Sequence, residues 1–175
     1  MKQKGLRYDG SIDKYPITEG ETYILDNGSK IAIADITFGL PEFSKKADCV
    51  FIDPAGNKGV LKAYYTKAEK ECPVQSFDEF ITYIKNCIEQ INPDRLFVEC
   101  FARNKNQIVP MVESLFPCVK IYNNTYYHSP KNECWIVQGS KKPEDWGLEG
   151  MDEWDAVFKI CKEVPFNAIT CLLYT

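Results

Sequence analysis

The stretch from Asp48 to Phe101 constrains the fold more than any other part of the chain. Val50, Phe51 and Ile52 form a short apolar run of β-formers, and Asp53-Pro54 stops it. A run bounded this way reads as a buried strand of a parallel sheet. Phe77, Phe80, Ile81, Ile84, Ile88 and Ile91 then recur at helical spacing until Asn92-Pro93 ends the pattern. Ser76-Phe-Asp-Glu79 reads as the capping box of that helix: Ser76 accepts from the amide three residues on, and Glu79 reaches back. Arg95–Phe101 is the next strand. Strand and helix alternate, which predicts an α/β architecture with a mostly parallel sheet.

The flanks extend this pattern. Residues 1–22 are polar and punctuated by glycine and proline, an arm ahead of a single domain over 23–175. Asn27-Gly28 signals a hairpin, followed by a strand Lys30–Ala34 that ends at Asp35. Phe38–Lys46 reads as a short helix or loop, and so does the tract after Gly59. Asn106–Phe116 suits a helix, with Pro110 confined to its first turn. Val119–Tyr127 and Glu133–Gln138 form two strands around a turn at His128–Asn132, giving the sheet an antiparallel end. Lys141–Gly150 is a polar linker. Trp154, Val157, Phe158 and Cys161 mark a further amphipathic helix, and Phe166–Tyr174 is a terminal strand.

Composition narrows the function classes. With a net charge of −4 and a pI of about 5.2, no global basic field points to a pure phosphate-backbone binder, though a local basic groove is compatible. The 8 cysteines sit in apolar runs and none belongs to a C-x-x-C, so they read as buried thiols of a reducing compartment. One histidine, His128, and this cysteine spacing argue against a metal site. The N-terminus lacks the apolar core of a signal peptide, and no run reaches membrane-spanning length, so the expectation is a cytoplasmic protein without a membrane partner.

Asp53 stands where open α/β sheets place ligands, at the carboxyl end of its strand. It reads either as an acid for a substrate amine or as a turn and capping residue. Lys58, Lys62, Lys67 and Lys70 interleave with Tyr64 and Tyr65, a tract that contacts DNA or is a solvated lysine face with two packing tyrosines. Tyr122, Tyr126, Tyr127, His128 and Trp135 read as core and cross-strand pairs. Glu99, within an apolar strand, is expected to face outward or be paired, unless it points into the cleft beside Asp53.

Two motifs in this order carry a resemblance: Ile31-Ala-Ile-Ala-Asp35, then Cys49-Val-Phe-Ile-Asp-Pro-Ala-Gly56. The chain over about 23–170 resembles the amino-methyltransferases of DNA bases. It looks most like the adenine-N6 type, whose Asp-Pro-Pro-aromatic motif precedes the Gly-rich cofactor motif. The resemblance implies a Rossmann-like methyltransferase fold with an antiparallel terminal hairpin, and S-adenosylmethionine as cofactor. Asp53 and the Pro54 carbonyl would accept both hydrogens of the target amine, favouring a nucleophilic nitrogen. Asp35 would face the adenine end of the donor. Lys58, Tyr64 and Tyr65 would serve the DNA, an aromatic ring stacking on the flipped base.

Ala55 and Gly56 stand where the family has proline and an aromatic ring, and Cys171–Thr175 stands where a Gly-rich loop would follow. The resemblance therefore implies a fold incomplete at its cofactor half and impaired or inactive as an isolated chain. The alternative is a catalytically dead interaction protein, a pseudo-enzyme subunit or a phage-type anti-defence factor. It would bind DNA or a protein partner, or self-associate through exposed sheet edges.

Overall fold

The computed structural model describes residues 18–24, 26, 28–67, 69–126, 129–163 and 168–172, with the backbone alone at 129–132 and 168–172. Most of the expected arm, together with Asn27, Tyr127 and His128, lies outside these residues.

A short antiparallel ribbon comes first, β1 (Thr22–Ile24) against β2 (Lys30–Ala32), so β2 stops short of the expected Ala34. A 3-10 helix over Glu42–Lys46 leads into β3 (Cys49–Asp53). Then come α1 (Lys58–Lys67), α2 (Phe77–Ile91), β4 (Arg95–Phe101) and α3 (Lys105–Leu115). The hairpin β5 (Cys118–Tyr126) and β6 (Ser129–Ser140), α4 (Glu153–Glu163) and β7 (Ala168–Leu172) complete the order. The main sheet has 5 strands in the order β5-β6-β4-β3-β7. β3 is parallel to both β4 and β7, while β6 runs antiparallel to β4 and β5. The expected α/β architecture with an antiparallel end forms, but the sheet is evenly mixed rather than mostly parallel, because the long hairpin supplies as many antiparallel pairings as β3 makes parallel ones.

Alternation along the strands divides the core into two layers. Val50, Ile52, Leu96 and Val98 face Ile84 and Ile88 of α2 and Ile108 and Val112 of α3. Burying each such side chain contributes roughly 1.5–3 kcal/mol. Cys49, Phe51 and Phe97 face the other way, against Leu148 and against Ala156 and Ile160 of α4. Asp53 and Glu99 continue this second row by the same alternation.

Four further expectations are corrected. Glu79 does not close the capping box. The Ser76 hydroxyl accepts from the Glu79 amide at 3.1 Å, but the Glu79 carboxylate takes the Gln75 amide instead, at 2.7 Å. Pro110 lies in the second turn of α3, because the buried Asn104 carbonyl starts the helix early by accepting from Gln107 and Ile108. Pro110 has no amide to donate to the Asn106 carbonyl, and both residues are exposed. β6 begins at Ser129, so residues 129–132 belong to the strand beyond a bulge at Thr125/Tyr126. Finally, α4 buries Glu153, Ala156 and Ile160, whereas Trp154, Phe158 and Cys161 face outward. Within the polar linker, Trp146 packs edge-on against Phe97 at 5.1 Å and Leu148 is fully buried.

Candidate functional site

Asp53 ends β3 between two parallel neighbours, opposite Leu172 of β7 and one step beyond the Ile52–Val98 pair with β4. That register places Asp53 directly across from Glu99. Asp53 is half-buried and Glu99 is only 6% exposed. Among the described residues, neither carboxyl has a hydrogen-bond donor or an ion-pair partner. Burial raises Asp53 above its ordinary value. Burial, then the charges of Asp53 and Glu153, push Glu99 up to about 8. The repulsion falls on Glu99, the more deeply buried acid, so Asp53 ionises first.

The surroundings are built from several elements. Glu153, buried at the start of α4, bears on Glu99 electrostatically. Tyr126, at the end of β5, is raised by burial and then by Glu153, Glu99 and Asp53. Cys134 on β6 is pushed to about 12 by burial first, then by Glu99 and Glu153. Thiols raised this far remain protonated and unreactive. The seven cysteines whose side chains are described, Cys49, Cys72, Cys87, Cys100, Cys118, Cys134 and Cys161, are free thiols. No group of acids, cysteines and histidine with metal-binding geometry occurs among the described residues.

The turn after Asp53 is closely packed. Pro54, Ala55 and Gly56 are buried, and the Asn57 side chain caps α1 by accepting from the Val60 amide at 3.0 Å. A Cβ on Gly56 would come within 2.9 Å of Arg103 Nε. The Arg103 guanidinium also lies 5.8 Å from the Phe101 ring centre, and Phe101 meets Tyr126 edge-on at 5.9 Å.

The other expected residues form a second, separate group. Lys58 is exposed at the start of α1 and donates to the Gln75 carbonyl. Tyr64 and Tyr65 are partly buried and pack on the core, which agrees with the packing reading of that tract. The Tyr65 hydroxyl donates to Asp35 at 2.8 Å, while Thr37 donates to the other Asp35 oxygen through its amide and hydroxyl. Asp35 is thus engaged by its own turn and by α1, and none of these groups hydrogen-bonds to Asp53.

Glu99 and Arg103 are what the sequence left open. Glu99 is neither outward nor paired; it is the neighbour of Asp53. The acid inside an apolar run was the available signal for Glu99, and no sequence pattern places Arg103 beside Gly56. A shallow hollow lined by Ile88, Asn92, Pro93, Leu115, Phe116 and Lys141 lies at the opposite end of β4. Its lysine is already bonded to the Asn92 carbonyl at 3.0 Å and to Asp94 at 3.1 Å.

Compared with models of known protein families and with curated protein sequences, the chain matches none. No helix among the described residues is long and apolar enough to cross a membrane.

Proposed function

We propose that the chain is a Rossmann-like amino-methyltransferase relative of the adenine-N6 type, with Asp53 and Pro54 as its target-amine pocket and S-adenosylmethionine as the donor. The observation that carries this reading is Asp53 at the carboxyl end of β3, without a donor or cation of its own, inside a parallel trio of strands. A carboxylate so placed is free to accept from an exocyclic amine. The strand order supports the reading as well. The hairpin inserts its antiparallel strand beside β4, and β7 lies parallel to β3 with its carboxyl end level with Asp53. A donor held at that end of β7 would face an amine held by Asp53, as in-line transfer requires. Asp35, already bonded to Tyr65, is the acid proposed for the donor's adenine end.

Calorimetric titration of S-adenosylmethionine into the full chain, followed by transfer of a labelled methyl group to duplex DNA, tests the proposal. Donor binding with transfer abolished by Asp53→Ala is the expected result. Absence of donor binding at millimolar concentration sinks it.

A second reading, a non-catalytic interaction protein using DNA or protein partners, is favoured by one observation. Trp154 and Phe158 are 44% and 57% exposed, with ring centres 6.0 Å apart on the outer face of α4. Exposed aromatic pairs of this kind mark interaction surfaces.

A further inference from the structure

The space beside Gly56 is filled from another element. Arg103 lies in the turn between β4 and α3, and its side chain reaches across to Gly56. A Cβ at that position would stand 2.9 Å from Nε and 3.2 Å from Cζ. Two residues, Pro54 and Ala55, separate Gly56 from Asp53, so the Cα atoms of Gly56 and Asp53 lie within about 11 Å of one another. The Arg103 backbone is held firmly. Asn104 is fully buried, its Oδ1 accepts from the Phe101 amide at 2.7 Å, and its backbone N–H donates to the Phe101 carbonyl at 3.0 Å. The Arg103 side chain is exposed and, among the described residues, makes no hydrogen bond or ion pair. Besides its approach to Gly56, its guanidinium lies over the Phe101 ring. A guanidinium on an aromatic ring, with its remaining donors free, is a ready platform for a planar ligand.

Two features beside it identify that ligand. Asp53 is an acceptor without a donor, and Glu99, more than nine-tenths buried and holding its proton, still offers its carbonyl oxygen as an acceptor. A planar ligand that stacks on Arg103 and presents amine hydrogens to the acids answers both needs. An amine-bearing nucleobase of single-stranded or extruded DNA has this chemistry, and its phosphates suit the free guanidinium donors.

We infer that Arg103 is the base-stacking residue of the site, occupying beside Gly56 the place of an aromatic side chain and selecting a nucleobase whose exocyclic amine reaches Asp53. This rests on the amine-pocket reading above and supplies the platform that Ala55 and Gly56 lack.

Fluorescence anisotropy of labelled oligo-deoxyadenylate, with oligo-deoxythymidylate as a probe lacking an exocyclic amine, tests the inference on the full chain. Wild type binds the adenine probe more tightly. Arg103→Ala weakens binding of both probes by roughly tenfold, the effect of losing a stacking partner. Arg103→Lys keeps the charge but not the plane and fails to restore binding. Gly56→Ala reproduces part of the loss with Arg103 intact, because the new methyl displaces the guanidinium. Asp53→Ala removes the preference for adenine over thymine. Equal binding by wild type and Arg103→Ala, full rescue by lysine, or no oligonucleotide binding by wild type overturns the inference. Methyl transfer that needs Asp53 but survives Arg103→Ala would refute the stacking role and leave the transferase reading standing. Arg103-dependent base binding without donor binding would do the reverse.

Discussion

Asp53 and Glu99 stand across from one another on adjacent parallel strands, and neither has a partner for its carboxyl among the described residues. Two buried acids this close cannot both ionise cheaply. The pair is therefore a local cost of the fold at neutral pH, kept at the strand ends where ligands bind.

The pair predicts how stability varies with pH. The folded protein holds the Glu99 proton up to about pH 8, whereas the group's ordinary value is 4.5. Between these values the folded state binds more protons, so the favourable contribution is complete below the lower value and is lost as pH rises through the upper one. Glu99→Gln should remove that dependence and stabilise the protein more at pH 8 than at pH 5, by on the order of a few kcal/mol. Urea unfolding of both proteins at the two pH values checks it. Parallel changes in wild type and variant would show that Glu99 is not the group responsible.

Gly139 predicts a steric cost. A Cβ there would come within 2.6 Å of the Phe116 ring and 2.8 Å of Val112, both in the core between β6 and α3. Gly139→Ala should lose about 1–3 kcal/mol by overpacking. Adding Phe116→Leu should recover part of it, because the ring is the nearer obstacle. Thermal unfolding of the single and double variants decides the point.

The sequence made some elements easy to read and others opaque, for physical reasons. The helix Phe77–Ile91 and the strand Arg95–Phe101 match expectation at both ends. There the apolar period is backed by boundary chemistry: Ser76 caps the start, and Asn92 ends the helix in the left-handed region at φ 51°. In α4 the period misled. Trp154, Phe158 and Cys161 share helical spacing, yet the buried row holds an acid and an alanine, Glu153 and Ala156. Hydrophobicity alone picks the wrong face when the packed face mixes an acid and an alanine with one large apolar residue, Ile160. Only Val157 of the expected set packs on the core. The site was half legible. Asp53 announces itself by ending an apolar run before a proline. Its pairing with Glu99 depends on which strands are neighbours and in what register, and Arg103 reaches Gly56 only because the two strand ends lie side by side.

Arg95 and Glu144 predict the opposite pH behaviour from the acid pair. The guanidinium makes a two-pronged contact, Nε to Oε2 at 2.6 Å and a terminal nitrogen to Oε1 at 2.9 Å, and the Trp146 indole donates to Oε2 at 3.0 Å. The Arg95 hydrogen bond lowers the Glu144 carboxyl. Its stabilising effect is therefore present above the ordinary glutamate range and is lost as pH falls through the lowered value. Both side chains are partly exposed, so solvent screening limits the effect to about 1 kcal/mol. Glu144→Gln should cost that much at pH 7 and almost nothing at pH 2. An equal loss at both values would place the cost in packing against Trp146 instead.

Tyr65 and Asp35 offer the sharpest test of the proposed donor side. The phenol donates to one carboxylate oxygen at 2.8 Å, and Thr37 occupies the other. Asp35 is thus held in one orientation by α1 and by its own turn, the preorganisation a ribose- or adenine-binding acid needs. Tyr65→Phe keeps the ring in the core and removes only the hydroxyl. It should cost about 1 kcal/mol of stability, and a double-mutant cycle with Asp35→Asn should return a coupling of similar size. If Asp35 serves the donor, Tyr65→Phe should also weaken S-adenosylmethionine binding several-fold, because the acid must then be reoriented on binding. A stability loss with unchanged donor affinity would make the pair a fastener between α1 and the chain following β2, and would move the donor's acid elsewhere.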